Sequence, residues 1–95
     1  MVILSVCSDP VRSAARNFVL QVRFRVVTAR SLPEAWARSE RSGITEVVLD
    51  HEFADDIGAA VFRQCYISIQ LSEKTTEADL LFELSSLLGN NAALN

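Results

Sequence analysis

MVILSVCSDP, residues 1–10, decides how the rest of the chain reads. Residues 1–7 form an apolar run with β-branched side chains, the pattern of a strand buried on both faces. Asp9 and Pro10 then turn the chain toward a helix. Asp is a good N-cap, and Pro suits the first helical position because it has no N–H to leave unpaired. Val11, Ala14, Ala15, Phe18 and Val22 repeat at helical spacing, with Arg12, Arg16 and Asn17 off the stripe. The spacing predicts a helix over about residues 10–21.

Outward from this unit the alternation continues. Residues 24–29 are short and β-rich, and Arg23 and Arg25 alternate with Phe24 and Val26, as on an edge strand. Ser31 and Glu34 make a capping-box pattern ahead of Leu32, Ala35 and Trp36, and Gly43 closes that helix as a left-handed cap. Residues 44–49 read as a second buried strand that stops at Asp50, and the polar HEFADD, residues 51–56, as a loop. A weak helix over about 55–64 precedes a strand at YISIQL, residues 66–71. Thr76 and Asp79 open the last helix, whose stripe is Leu80, Leu81, Leu84, Leu87 and Leu88; Gly89 is expected to close it and residues 90–95 to form a frayed tail.

The order β-α-β-α-β-α-β-α with short loops predicts a parallel sheet, because parallel neighbours need crossover connections. The expected fold class is α/β: one flavodoxin-like, doubly wound domain over residues 1–95, with four or five parallel strands in the order 2-1-3-4 and helices on both faces. In such sheets ligands bind beyond the carboxyl ends of the strands, where the strand order reverses. That expectation brings together Cys7-Ser8-Asp9, Asp50-His51-Glu52 and Ser72-Glu73-Lys74, a mixture suited to a cation or a phosphate.

The composition fits a globular domain: 95 residues, 49 % apolar and 22 % charged. No stretch reaches the ~18 uninterrupted apolar residues of a membrane span, and the first strand lacks the flanks of a signal peptide. Cys7 and Cys65 are too few for a disulfide framework and fit no zinc spacing. A cytoplasmic location follows as the expectation. The net charge of −3 divides unevenly. Residues 1–48 carry seven Arg against four carboxylates, and residues 49–95 carry Arg63 and Lys74 against eight. The basic residues are spaced out without interleaved aromatics, so nucleic acid is not an expected partner.

Three stretches resemble response-regulator receivers. ILSVCSDP, residues 3–10, is similar to the family's first strand and turn; FRVVTARSLPEA, residues 24–35, to its second strand and helix start; EVVLD, residues 46–50, to the strand that ends in the phospho-acceptor aspartate. The resemblance implies that Asp50 is the phospho-acceptor candidate and Asp9 the remaining member of the acidic metal pocket. It also implies a protein partner in signalling, either a histidine kinase or an output protein. The departures concern the same chemistry. Cys7 and Ser8 stand where the family has the acidic pair that holds Mg²⁺, and HEFADDIG lacks the Pro of the family's loop after the acceptor. The chain is one strand–helix unit short. Either YISIQLS is the fourth strand and Ser72 sits at the switch Ser/Thr, or that unit is deleted and Lys74-Thr75 stands for the Lys-Pro before the final helix.

The expected function is therefore a non-catalytic, receiver-like module acting through protein–protein contact, a pseudo-receiver. Phosphorylation of Asp50 is the alternative. No cofactor is expected, and Mg²⁺ enters only if Asp9 and Asp50 converge. A third reading rests on Cys7. CSDPVRS, residues 7–13, resembles the loop of low-molecular-weight phosphatases, but places four residues between Cys and Arg where that loop has five. Pro10 also removes an amide from the loop. His51 reads as a solvated loop histidine. Trp36 shares a stripe with Leu32 and Ala35 and is expected to face the core, while Phe82, Phe53 and Phe62 are candidates for exposure. Leu81, Phe82, Ser85 and Leu88 form the expected interface, with a homodimer among its uses.

Overall fold

The computed structural model describes residues 2–94, and their side chains through residue 86. The elements alternate: β1 (Val2–Val6), α1 (Pro10–Leu20), β2 (Arg25–Ala29), α2 (Leu32–Ser42), β3 (Glu46–Leu49), a 3-10 turn (His51–Phe53), α3 (Ile57–Cys65), β4 (Ser68–Gln70) and α4 (Glu77–Leu94). The four strands form one parallel sheet in the order β2-β1-β3-β4. Val6 lies level with Ala29 and Leu49, and Leu49 with Gln70, so the carboxyl ends of the strands share one edge of the sheet.

Successive strand side chains point to opposite faces, and this splits the core in two. Leu4, Val6, Val47 and Leu49 pack with Ala35 of α2 and with Ala59 and Phe62 of α3. Ile3 and Val48 pack on the other face with Leu20 of α1 and with Leu80 and Leu84 of α4. Trp36 packs half-buried against the first cluster and stacks on Phe62, with ring centroids 4.0 Å apart. Phe62 is fully buried and Phe53 packs partly buried beside it, which corrects the expectation that these rings are exposed. Both sit on the α2/α3 side, where Phe62 stacks on Trp36 over the apolar sheet residues.

The helix ends follow local chemistry. The Asp9 carboxylate accepts from the amides of Val11 and Arg12 at 2.8 and 3.3 Å, with Pro10 directly behind it. Ser31 accepts from the Glu34 amide at 3.2 Å, and Gly43 caps α2 at φ +61°. Thr76 and Asp79 exchange side-chain-to-amide bonds of 3.2 and 3.1 Å, a complete capping box. Gly89 does not end the last helix: α4 runs on to Leu94, so residues 90–94 of the expected tail lie within it and Asn95 lies outside the described residues. A glycine inside a helix costs only about 1 kcal/mol relative to Ala, so it need not stop one.

α1 departs furthest from its pattern. Arg16 and Leu20 are its buried residues, while Val11, Ala14, Ala15, Phe18 and Val22 are all exposed. The apolar stripe points to solvent and the arginine face points inward. The physical reason lies at the end of β3, where a buried carboxylate attracts that face.

Candidate functional site

Asp50 follows the last residue of β3, and its side chain has no exposed surface. Its amide donates to the Val6 carbonyl at 3.0 Å, which extends the β1–β3 ladder by one step and points the carboxylate toward α1. Arg16 donates to Oδ1 at 2.8 Å and Arg12 to Oδ2 at 2.9 Å. Oδ2 also receives the Glu52 amide at 3.4 Å, and the His51 Nδ1 lies 3.6 Å away. Both oxygens are thus engaged by guanidinium groups from one helix face.

Burial alone pushes the Asp50 carboxyl up, but the bonds from Arg16 and Arg12 outweigh it and hold the carboxyl below the ordinary carboxylate range. Asp9 stands on the other side of Arg12, 3.1 Å from Nη1. Hydrogen bonds from the Arg12 and Val11 amides hold its carboxyl low as well. Asp9 and Asp50 therefore meet through the shared guanidinium of Arg12. The bond to Asp50 raises the Arg12 guanidinium above its already high value.

Glu52 closes the front of the cleft. Its two oxygens accept from the amide and the hydroxyl of Ser8, joining the turns after β1 and β3. Cys7 lies behind, fully buried, with its thiol directed at the Asp9 carbonyl at 3.5 Å. Burial pushes the thiol up, which keeps it protonated and a poor nucleophile. The phosphatase reading of residues 7–13 finds no activated thiolate here.

The end of β4 joins the cleft through the side chain of Gln70. The Gln70 side-chain amide donates to the carbonyls of Asp50 and Leu71 at 3.0 and 3.1 Å, and its oxygen accepts from Arg63. Ser72 and Lys74 are exposed. The Ser72 hydroxyl pairs with that of Thr75 at 3.0 Å, and the Ser72 amide also donates to Thr75. Lys74 lines an open groove with Ser72, Thr75, Asp79, Phe82 and Glu83. Among the described residues the cations within 4.0 Å of Asp50 are Arg12, Arg16 and, when protonated, His51; Lys74 is not one of them. Of the expected interface residues, Phe82 is exposed, Leu81 half-buries against the α1/α4 core, and Ser85 accepts from Arg23 at 3.0 Å. The Leu88 side chain lies outside the described residues.

The sequence reading gives Arg12 a chemical role only in the phosphatase-like loop and passes over its pairing, with Arg16, to Asp50. Arg12 and Arg16 are four apart, so one face of α1 carries both, directly after the β1 turn. That spacing was the available signal, masked by the stronger apolar stripe on the opposite face.

One metal-capable group exists among the described residues: donor atoms of Cys7, Asp50 and Glu52 lie within 4.8 Å of one another. It does not fit Mg²⁺. That ion takes an octahedron of oxygens; here one donor is a thiol, Glu52 is engaged by Ser8, and Asp50 by two guanidiniums that would repel a dication.

Among the described residues no helix is long and apolar enough to cross a membrane. No protein-family model matches the chain, and no curated protein matches it. Solved structures do. A CheY-like response regulator receiver domain protein from Methanospirillum hungatei JF-1 is similar at a TM-score of 0.77 and 16 % identity, over 99 % of this chain and 98 % of that one. The chemotaxis protein CheY4 of Vibrio cholerae is similar at a TM-score of 0.70 and 16 % identity, over 90 % of this chain and 96 % of that one. With the strand order β2-β1-β3-β4 and helices on both faces, these likenesses give the conclusion that the chain has the flavodoxin-like fold of response-regulator receiver domains.

Proposed function

We propose that this chain is a cytoplasmic, receiver-like signalling module that docks to a protein partner and does not accept a phosphoryl group. One observation carries the reading: the carboxylate at the acceptor position is buried, and each oxygen is already held by a guanidinium. Phosphoryl transfer to a carboxylate needs a free oxygen in line with phosphorus and cations on the transferred oxygens. Here the positive charge is spent on Asp50 itself. Transfer would first break two charge-assisted bonds in a site that excludes water, and those bonds are among the stronger ones a protein makes. The thiol of Cys7 and the hydroxyl of Ser8 supply no charge to hold a metal in place of the arginines.

The test is direct. The protein is incubated with a small phosphoryl donor such as acetyl phosphate plus Mg²⁺, and its intact mass is followed. The expected result is no mass gain in wild type or in Asp50→Asn. An acid-labile phosphoryl adduct on wild type that is missing from Asp50→Asn would establish the phospho-acceptor reading instead.

A further inference from the structure

The sheet ends at β2, and the outer side of that strand has no neighbouring strand among the described residues. Register with β1 fixes which backbone groups point that way. The Cys7 amide donates to the Ala29 carbonyl at 3.0 Å. Arg25, Val27 and Ala29 therefore turn their amides and carbonyls to β1, and Val26, Thr28 and Arg30 turn theirs outward. The Arg30 amide is taken by the Glu34 carboxylate at 3.3 Å. The amides and carbonyls of Val26 and Thr28 are left as an open template of the kind that pairs with an added strand.

The charges that frame this edge select its occupant. Arg25 opens β2 and Arg30 follows its last residue, and both are exposed. The bond from the Arg30 amide to Glu34 places one stripe of α2 beside the edge. α2 packs on β2 and runs back along it, and the exposed Arg38 and Arg41 continue that stripe. Together with Glu34 they line an open groove. Glu34 is spent on the Arg30 amide and on Arg38, at 3.1 Å. Glu40, the other carboxylate of α2, falls off the stripe. Arg25, Arg30 and Arg41 have no carboxylate within 4.0 Å among the described residues. The same edge of a second copy is a poor occupant, because antiparallel pairing would bring the arginine ends of the two copies together, and like charges facing across strands are destabilising. We infer that the β2 edge docks an extended, acidic segment of a partner protein, which joins the sheet as a further strand. Its backbone pairs with Val26 and Thr28, and its carboxylates meet Arg25, Arg30 and the arginines of α2. This site gives the docking reading, on which it rests, a partner of defined chemistry. Acetyl phosphate probes Asp50 and the peptide below probes β2, so each reading fails by its own result.

The probe is an octapeptide of alternating glutamate and threonine, titrated into the isotope-labelled full chain and followed by NMR. Binding is expected to move the amide resonances of Val26 and Thr28 and to slow their hydrogen exchange, while the Val27 amide, already bonded to β1, changes little. Arg25→Glu and Arg30→Glu are each expected to weaken binding at least about 10-fold, because each sets like charges against the peptide. Both positions are exposed, and circular dichroism matching wild type confirms that each variant folds. Two further changes remove the backbone contribution alone. The same peptide N-methylated throughout keeps its charge, has no amide donors and is expected not to bind. Thr28→Pro deletes one outward amide without breaking the ladder to β1, a place where a sheet tolerates proline, and is expected to weaken binding in a folded protein; if that variant does not fold, the methylated peptide makes the distinction. No binding of the acidic peptide, equal binding of its methylated form, or unchanged affinity in the folded arginine variants overturns the proposal. A single-stranded oligonucleotide that binds the same arginines more tightly than the peptide also overturns it, and assigns the surface to nucleic acid.

Discussion

Arg12 and Arg16 reach Asp50 from the same side, but they do not contribute equally. The Arg16 side chain is 7 % exposed and that of Arg12 39 %, so solvent screens the second pair far more than the first. Removing Arg16 strips Oδ1 of the buried Asp50 carboxylate of its donor while Arg12 still holds Oδ2, and leaving a buried charged acceptor unsatisfied costs about 3 kcal/mol. Arg16→Ala is therefore expected to destabilise the fold by about 3 kcal/mol and Arg12→Ala by clearly less, as measured by urea denaturation; equal losses would contradict this assignment. Asp50 and Glu46 set opposite pH dependences. The folded carboxyl of Asp50 is held low, so its stabilisation is present above the ordinary value of 3.8 and lost as pH falls through the folded value. Glu46 is buried at the start of β3, its Oε2 has no hydrogen-bond partner among the described residues, and burial pushes its carboxyl up. For Glu46 stability is complete below 4.5 and declines as pH rises through its raised folded value. Glu46→Gln is expected to stabilise the protein at pH 7 by on the order of 1 kcal/mol and to leave stability at low pH nearly unchanged. Thermal melts at both pH values check this, and a loss of stability at neutral pH would show that the Glu46 charge is compensated.

At the level of elements, the ends are decided by single residues and the faces by their surroundings. Gly43 takes φ +61° at the end of α2, and a Cβ there would meet nothing within 4 Å. The cost of a side chain is thus purely conformational. Gly43→Ala is expected to destabilise by about 1 kcal/mol, and Gly43→Asn by less, because Asn tolerates the left-handed region; denaturation midpoints of the three proteins rank them. α1 shows the limit of periodicity. Its stripe correctly marks a helix, since that depends only on spacing. Which face turns inward depends on what waits there, and a buried anion outbids an apolar sheet surface when two arginines share the other face.

At the level of the whole molecule, β1 and β3 end side by side, and their turns are tied by Ser8–Glu52 and by the Arg12 bridge between Asp9 and Asp50. The cleft carries its own cations. Millimolar Mg²⁺ is accordingly expected to leave the melting temperature unchanged, since an ion stabilises a fold only by binding it; a rise that grows with Mg²⁺ concentration would show a metal site. Strand and helix alternation, the caps at Asp9, Ser31, Gly43 and Thr76, the strand order and the place of Asp50 at a strand end were all legible in the sequence. Each rests on local spacing or on the stereochemistry of a parallel sheet. The engagement of Asp50 by Arg12 and Arg16, the outward turn of Phe18 and the burial of Phe62 were settled only in three dimensions. They depend on which charges and volumes long-range packing brings together, and one strand or helix read alone holds no record of its neighbours.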